Sequence, residues 1–356
     1  MDAPAFRSSF PVLERVAYLN AGTDGPVPAA AVAAAREELE SELAEGRAAA
    51  HFERRFALQD ALRAGYARVL GCDAADVALT TSTSEGLGTV LAGMDLRPGH
   101  EVVTATGEHP GLLGPLRAVR ERGVTVREVP FAELAAAVSP STTLVACSHV
   151  NWLTGEVAPA ALAHAGVPVV LDGAQGAGAV PLDMAALGCS AYAGAGQKWL
   201  CGADGTGMLY LAPEFRSRVR AVAPAYMNFE HVLEGMDSPL RTDARRFDTP
   251  SLPREGVAFS LAALGVLEAA GLDWVLARGR DQAARLAAML AERGRTVAPR
   301  GDSTLVAWED ADPEAARDRL AQAGVILRNL PGTSLLRASV GAWNDDDDLE
   351  RLLAAL

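Results

Sequence analysis

Lysine is scarce in this sequence: the 32 Lys+Arg residues are nearly all arginine. Positive charge as a whole is outweighed, with 45 Asp+Glu, a formal net charge of −13 and a pI near 5.0. Nucleic acid and anionic membrane surfaces both reward positive charge, so neither is expected as a partner. Four cysteines (Cys72, Cys147, Cys189, Cys201) show no CxxC spacing, and the six histidines form no HExxH pattern and no pair at helical spacing. No metal site is therefore expected. The opening MDAPAFRSSFPVLERVAYLN lacks a basic stretch followed by an apolar run, and no apolar run has the length of a membrane span. These absences point to a soluble, cytoplasmic protein with free thiols. A dinucleotide fingerprint is missing too. LDGAQGAG (171–178) has its glycines in the wrong order for GxGxxG, and no acidic residue follows a second strand, which disfavours a nicotinamide oxidoreductase.

What is present is a 356-residue chain with 49% apolar content, enough for two domains or one large domain with an appendage. Apolar, β-branched runs recur as DVALTT (76–81), HEVVTAT (100–106), VTVREVP (124–130), TTLVACSHV (142–150), VPVVLDG (167–173), SAYAGA (190–195) and GTGMLYL (205–211). Between them lie helical patterns such as GLLGPLRAVRER (111–122) and APAALAHA (158–165). Strands apolar throughout and separated by helices imply a mostly parallel sheet covered on both faces. RTDARRFDTPSLPRE (241–255) reads as a polar connector leading into one long helical stretch. Strands STLVAW (303–308), GVILRN (324–329) and SLLRASV (334–340) follow, then a helix begun by NDDDDLERLL (344–353). Its four aspartates suit the positive end of a helix dipole.

Three motifs carry chemistry. Asp172 stands at the carboxyl end of a strand, where open α/β sheets place ligands. Lys198, in AYAGAGQKW, ends the next strand in a pocket of small residues. A lysine that forms an imine must be partly desolvated, and an aspartate on the neighbouring strand can hold a protonated pyridine nitrogen. ALTTSTSEGLG (78–88) runs from a strand into five hydroxyl residues and a helix start. That is an ordinary cap, or a phosphate cradle. Cradle, aspartate and lysine together suit a phosphorylated pyridine aldehyde.

In these motifs the sequence resembles the class V aminotransferase family of pyridoxal-phosphate enzymes, fold type I. The family includes cysteine desulfurases, kynureninase, C–S lyases and isopenicillin N epimerase-like proteins. The resemblance runs from YLNAGTDGPVP (18–28) to LLRASVG (335–341). It implies an α/β fold: a large cofactor-binding domain over 20–240 with a mostly parallel seven-stranded sheet, and a smaller α+β domain over 241–356 joined by 1–19. It implies pyridoxal 5'-phosphate as cofactor and Lys198 as the Schiff-base lysine, with Asp172 as partner of the pyridine nitrogen. By the same resemblance Gln175 donates to the cofactor's phenolate oxygen, Asn151 lies near that edge, and His109 stacks on the ring and joins the catalytic set. Thr83 and Ser84 match the phosphate loop. Thr249 matches a threonine lent to the neighbouring subunit's phosphate, which implies a homodimer with shared active sites. Arg337 matches the arginine that grips the substrate carboxylate, and Asn20 falls in a substrate-binding motif.

The sequence departs from the pattern in two places. Desulfurases commonly read Ser-x-His-Lys where this chain has Ala195, Gly196, Gln197 and Lys198, so the phosphate has one donor fewer and Gln197 donates in place of a histidine. The connector around Thr249 is also a residue or two shorter. A persulfide-forming desulfurase needs a cysteine in the small domain, and no cysteine occurs from 202 to 356. The resemblance therefore points to a small α-amino acid as substrate and to C–S lyase-type β-elimination from a cysteine derivative. Transamination with a keto acid and epimerisation at Cα stay open.

Overall fold

The computed structural model describes residues 2–356, apart from the side chains of 232–234. The strands, in chain order, are β1 Ala17–Tyr18, β2 Val77–Thr80, β3 Glu101–Ala105, β4 Thr125–Val129, β5 Thr142–Ser148, β6 Val169–Asp172, β7 Ala191–Ala195, β8 Gly207–Leu211, β9 Leu305–Glu309, β10 Val325–Ile326, β11 Arg328–Asn329 and β12 Leu335–Ser339. Seven of them form one sheet in the order β2-β8-β7-β6-β5-β3-β4. It is parallel except for β8, which runs antiparallel to both β2 and β7. All seven expected runs are strands. β2, β6, β7 and β8 are buried at every residue, as a sheet covered on both faces requires.

The second sheet has the order β11-β12-β9, and β10 pairs in parallel with β1. The run 324–329 is therefore not one strand. β10 serves the N-terminal segment and β11 serves the hairpin with β12, with buried Leu327 between them. Ser339 N–H donates to Leu19 O at 2.7 Å, and the Arg7 guanidinium makes a two-pronged bond to the buried Asp348 carboxylate at 2.6 and 3.0 Å. Asp345 caps the last helix, Asp346–Ala355, so the four aspartates divide into a cap, two dipole-facing residues and one buried anchor.

Two other expectations change in the folded chain. The segment 158–165 is only a 3-10 turn, Ala160–His164, because Pro159 and Gly166 confine the crossover to a few residues. The long helical stretch breaks at Gly271, whose φ of 94° is unfavourable for residues with a side chain. Helices Arg254–Ala270 and Leu272–Glu292 meet there at 82°. Among the described residues no single helix is long and apolar enough to cross a membrane. The connector 241–255 is pinned to the large sheet. Asp248 pairs with Arg63 at 2.7 and 2.9 Å, both buried, and accepts the Leu79 N–H at 2.8 Å.

Candidate active site

The parallel strands β5 and β6 and their neighbour β7 deliver their carboxyl ends to one place. Ser148, Asp172 and Ala193 lie side by side in register there. Directly after Asp172, Gly173 has no room for a side chain: a Cβ would lie 2.0 Å from the Tyr192 ring. Gly173→Ala is thus expected to cost about 3 kcal/mol by overpacking, visible as an earlier thermal or urea transition, and to displace Asp172.

The lysine loop follows β7. Gly202 N–H bonds Gly196 O at 2.8 Å and Cys201 N–H bonds Lys198 O at 3.1 Å, closing a tight turn. Cys201, at φ 54°, is the one non-glycine residue with positive φ among the described residues, and it is fully packed. Gly25 lies on this loop, its N–H bonding Gln197 O at 2.8 Å. Lys198 is partly buried and is the chain's only lysine. Burial lowers its pKa to about 8; the Asp172 charge opposes this, while Arg337 adds to it. The neutral, nucleophilic amine is therefore populated well below the usual lysine range. Cofactor uptake by the apo-protein should accelerate with rising pH and level off above a midpoint near 8. Stopped-flow absorbance checks this; a midpoint near 10 would mean the amine is not desolvated.

Asp172 is 4% exposed and accepts the Ala174 N–H at 2.9 Å. Burial raises its pKa, while that N–H and Lys198 pull it down. Burial alone thus works against ionisation, which a cation at the carboxylate would favour. His109 caps the helix Pro110–Glu121, its Nδ1 accepting the Gly111 N–H at 3.0 Å. Burial, with Lys198, Arg328 and Arg337 nearby, lowers its pKa to about 4. The imidazole is neutral at pH 7, and its remaining proton is on Nε2.

At the hydroxyl turn, Ser82 is the helix cap, its Oγ accepting the Glu85 N–H at 3.1 Å. That leaves Thr83 and Ser84 in the first turn of the helix Thr83–Gly93, with N–H groups free of helical partners. The Thr83 hydroxyl is buried and unpartnered. Ser84 Oγ and His109 Nδ1 both lie against Gly111, which brings the turn and the imidazole together. Gln197, beside the lysine, has a buried side-chain oxygen without a partner. Gln175 is held by Gly22 O at 2.7 Å and by Trp199 Nε1 at 3.1 Å, so one amide N–H remains to donate. The Asn151 oxygen accepts from Leu153 and Thr154 N–H at 2.9 and 3.3 Å, which leaves its amino group. The Asn20 oxygen accepts the Thr23 hydroxyl at 2.9 Å. The Thr249 N–H bonds Leu79 O at 2.8 Å on the edge strand β2, which leads into the hydroxyl turn.

Arg337, on β12, is completely buried. Nη1 donates to Trp152 O at 2.6 Å, while Nε and Nη2 have no partner. No carboxylate bonds it among the described residues, and burial with Arg328 nearby lowers its pKa to about 9. A buried guanidinium with an open edge suits an incoming carboxylate. The sequence reading missed Arg328. It lies directly opposite Arg337 in the β11–β12 hairpin, so both side chains share one face. The turn LPGT between the two strands carried the signal, since pairing outward from it aligns the two arginines. Trp152 and the buried Glu108 were also missed. Glu108 accepts from Ser148 N–H at 2.8 Å and from its hydroxyl, and burial raises its pKa to about 7.

Residues 17–352 match the family model for class V aminotransferases. The chain belongs to that family. Isopenicillin N epimerase of Streptomyces clavuligerus is 28% identical over 96% of this chain and 94% of its own length. Cysteine desulfurase CsdA of Escherichia coli K12 is 28% identical over 99% and 96%. Among solved structures, a lysine-to-alanine mutant of C-DES with glycine covalently linked to its PLP cofactor superposes with a TM-score of 0.92, at 26% identity and 98% coverage of each chain. The cystine C–S lyase C-DES bound to its product cysteine persulfide gives 0.91, at 26% identity over 97% and 98%. As a class V enzyme of fold type I, this protein is pyridoxal-phosphate-dependent. The donor set fits that cofactor on its own terms. An orphaned hydroxyl and open first-turn N–H groups suit a phosphate, a buried carboxylate suits a ring cation, and a desolvated amine suits an aldehyde.

Proposed function

We propose that this class V enzyme cleaves the C–S bond of a cysteine-derived amino acid by β-elimination, without a persulfide-forming cysteine. The observation that carries this reading is the facing pair Arg337 and Arg328. Arg337 has the open edge for the α-carboxylate. Arg328, on the same face, suits a second carboxylate, as in a disulfide or thioether with an amino acid at each end. The absence of cysteine from 202 to 356 supports it, as does the likeness to a structure described as a cystine C–S lyase.

When bound, pyridoxal phosphate supplies the electron sink for negative charge at the substrate Cα. Thr83, Ser84 and Gln197 would hold its phosphate, and His109 and Gln175 its ring. Asp172 would hold the proton on the pyridine nitrogen. Lys198, once freed by substrate, would take the Cα proton, and Arg337 fixes which Cα bond it faces. Epimerisation would need a second proton carrier on the opposite face of Cα. His109 is neutral with one nitrogen committed to a helix cap, and Arg337 is protonated at neutral pH and turned to the carboxylate, so neither offers a ready second base, which favours elimination. The test is an amino-acid panel scored for pyruvate, sulfur product and conversion of the cofactor to its amine form. Pyruvate from cystine-like substrates is expected, and keto-acid-dependent amine transfer without pyruvate would overturn the reading. Arg328→Gln should lower kcat/KM for a two-ended substrate by about tenfold and for a one-ended one by about twofold.

The same reading includes a homodimer in which Thr249 serves the neighbouring subunit's phosphate. Half-exposed Phe56 and Tyr226 support it: with Arg63, Met227 and Asp248, the residue before Thr249, they line a cavity of about 320 Å³. Thr249→Ala should weaken cofactor binding by about tenfold, the weight of one hydrogen bond to a charged group. Sedimentation at working concentration is the companion measurement, and a fully active monomer would rule out sharing.

A further inference from the structure

Three separate contacts meet on Trp152, a residue to which the proposed chemistry gives no role. Its indole N–H donates to Gly107 O at 2.9 Å, two residues before His109. Its ring stands edge-on to the His109 imidazole, with centroids 5.0 Å apart and planes at 88°. Its carbonyl oxygen accepts Nη1 of Arg337 at 2.6 Å, the one hydrogen bond that guanidinium makes among the described residues. The loop carrying it is fastened at both ends. Asn151 Oδ1 accepts the Leu153 N–H, and Gly155 N–H bonds Asn151 O at 2.8 Å. Ser303, just before β9, donates its hydroxyl to Gly155 O at 2.7 Å. Trp152 is thus held from the large sheet and the small one together.

We propose that Trp152 is a positioning residue that builds the carboxylate grip and the ring stack on one support. Its carbonyl fixes the plane of the Arg337 guanidinium, so that the unpaired Nε–Nη2 edge points one way. Its indole fixes the tilt of the His109 ring, and with it the face that ring offers a cofactor ring. A fork recognises a carboxylate only when its plane is set, and an imidazole stacks only when its tilt is set. The carbonyl is main chain and survives any substitution, but the indole N–H bond to Gly107 O helps hold the residue that carries it. Removing the indole should therefore loosen both sites, although the residue need touch neither ligand.

This inference rests on the roles proposed above for Arg337 and His109, and the experiment separates the two. In wild type, Trp152→Leu and Trp152→Phe, the pyridoxal-phosphate dissociation constant is measured by visible absorbance. The affinity for propionate, a carboxylate without an amine, is measured on the holoenzymes by competition. Trp152→Leu should weaken each by about tenfold. Trp152→Phe, which restores an aromatic edge but not the N–H bond to Gly107 O, should return the cofactor affinity to within about threefold of wild type and the propionate affinity only in part. Since the loop's carbonyl bond to Arg337 is indirect support, KM should rise more than kcat falls. Trp152 is only partly buried. Trp152→Met fills the same space without ring or donor, and is read instead where the leucine variant does not fold. A non-aromatic variant that leaves either affinity within about twofold, or that weakens one without the other, overturns the inference. A wild-type protein that fails to take up the cofactor overturns the proposed site itself.

Discussion

Lys198→Ala is expected to lose about 10⁴-fold or more in turnover and all cofactor attachment that borohydride can fix. The size follows from three observations. Lys198 is the only lysine in the chain, so no other side-chain amine can replace it. Its pKa, near 8, keeps a sizeable neutral fraction at working pH, as an arginine could not. Its loop is closed by Gly202 and by the positive-φ Cys201, so no neighbouring residue can swing into its place. Phosphate-side binding should survive, because Thr83 and the open first-turn N–H groups do not depend on the lysine. Peptide mapping after borohydride is the decisive measurement. A fixed adduct elsewhere in the chain at full stoichiometry would refute the assignment.

Asp172→Asn should lower kcat by about 10²- to 10³-fold while cofactor content falls far less. The substitution keeps the shape and the Ala174 N–H contact but removes the charge. Burial already pushes the Asp172 carboxyl upward, so ionisation there depends on a positive partner, and the pairing is mutual: each charge stabilises the other. The sign follows for pH. A carboxylate beside a ring cation stays charged as pH rises, so the loss in the variant should persist across neutral pH instead of being recovered at higher pH. Near-normal kcat in a fully loaded Asp172→Asn enzyme would point to another carboxylate. Glu108 would be the first to examine, since it clamps Ser148 beside Asp172.

The sequence by itself determined the large sheet. Its strands are continuous apolar runs, because burial on both faces leaves no polar positions, and such runs read plainly without knowledge of their neighbours. The order of hydroxyl turn, aspartate and lysine was legible for a related reason. Each ends or follows a strand, and the carboxyl ends of parallel strands share one edge of a sheet. Helix breaks were not legible where a glycine could equally be tolerated, as at Gly271, since the pattern on either side stays helical. Tertiary structure alone decided that RRFDTPSLP is anchored, because Asp248 needs the distant Arg63 to be buried at all. It also decided that Arg328 faces Arg337 and that Trp152 joins Arg337 to His109. Those relations depend on strand register and on loop contacts between segments up to 185 residues apart. Period and composition describe each segment against solvent, and they carry no information about which distant segment it will meet.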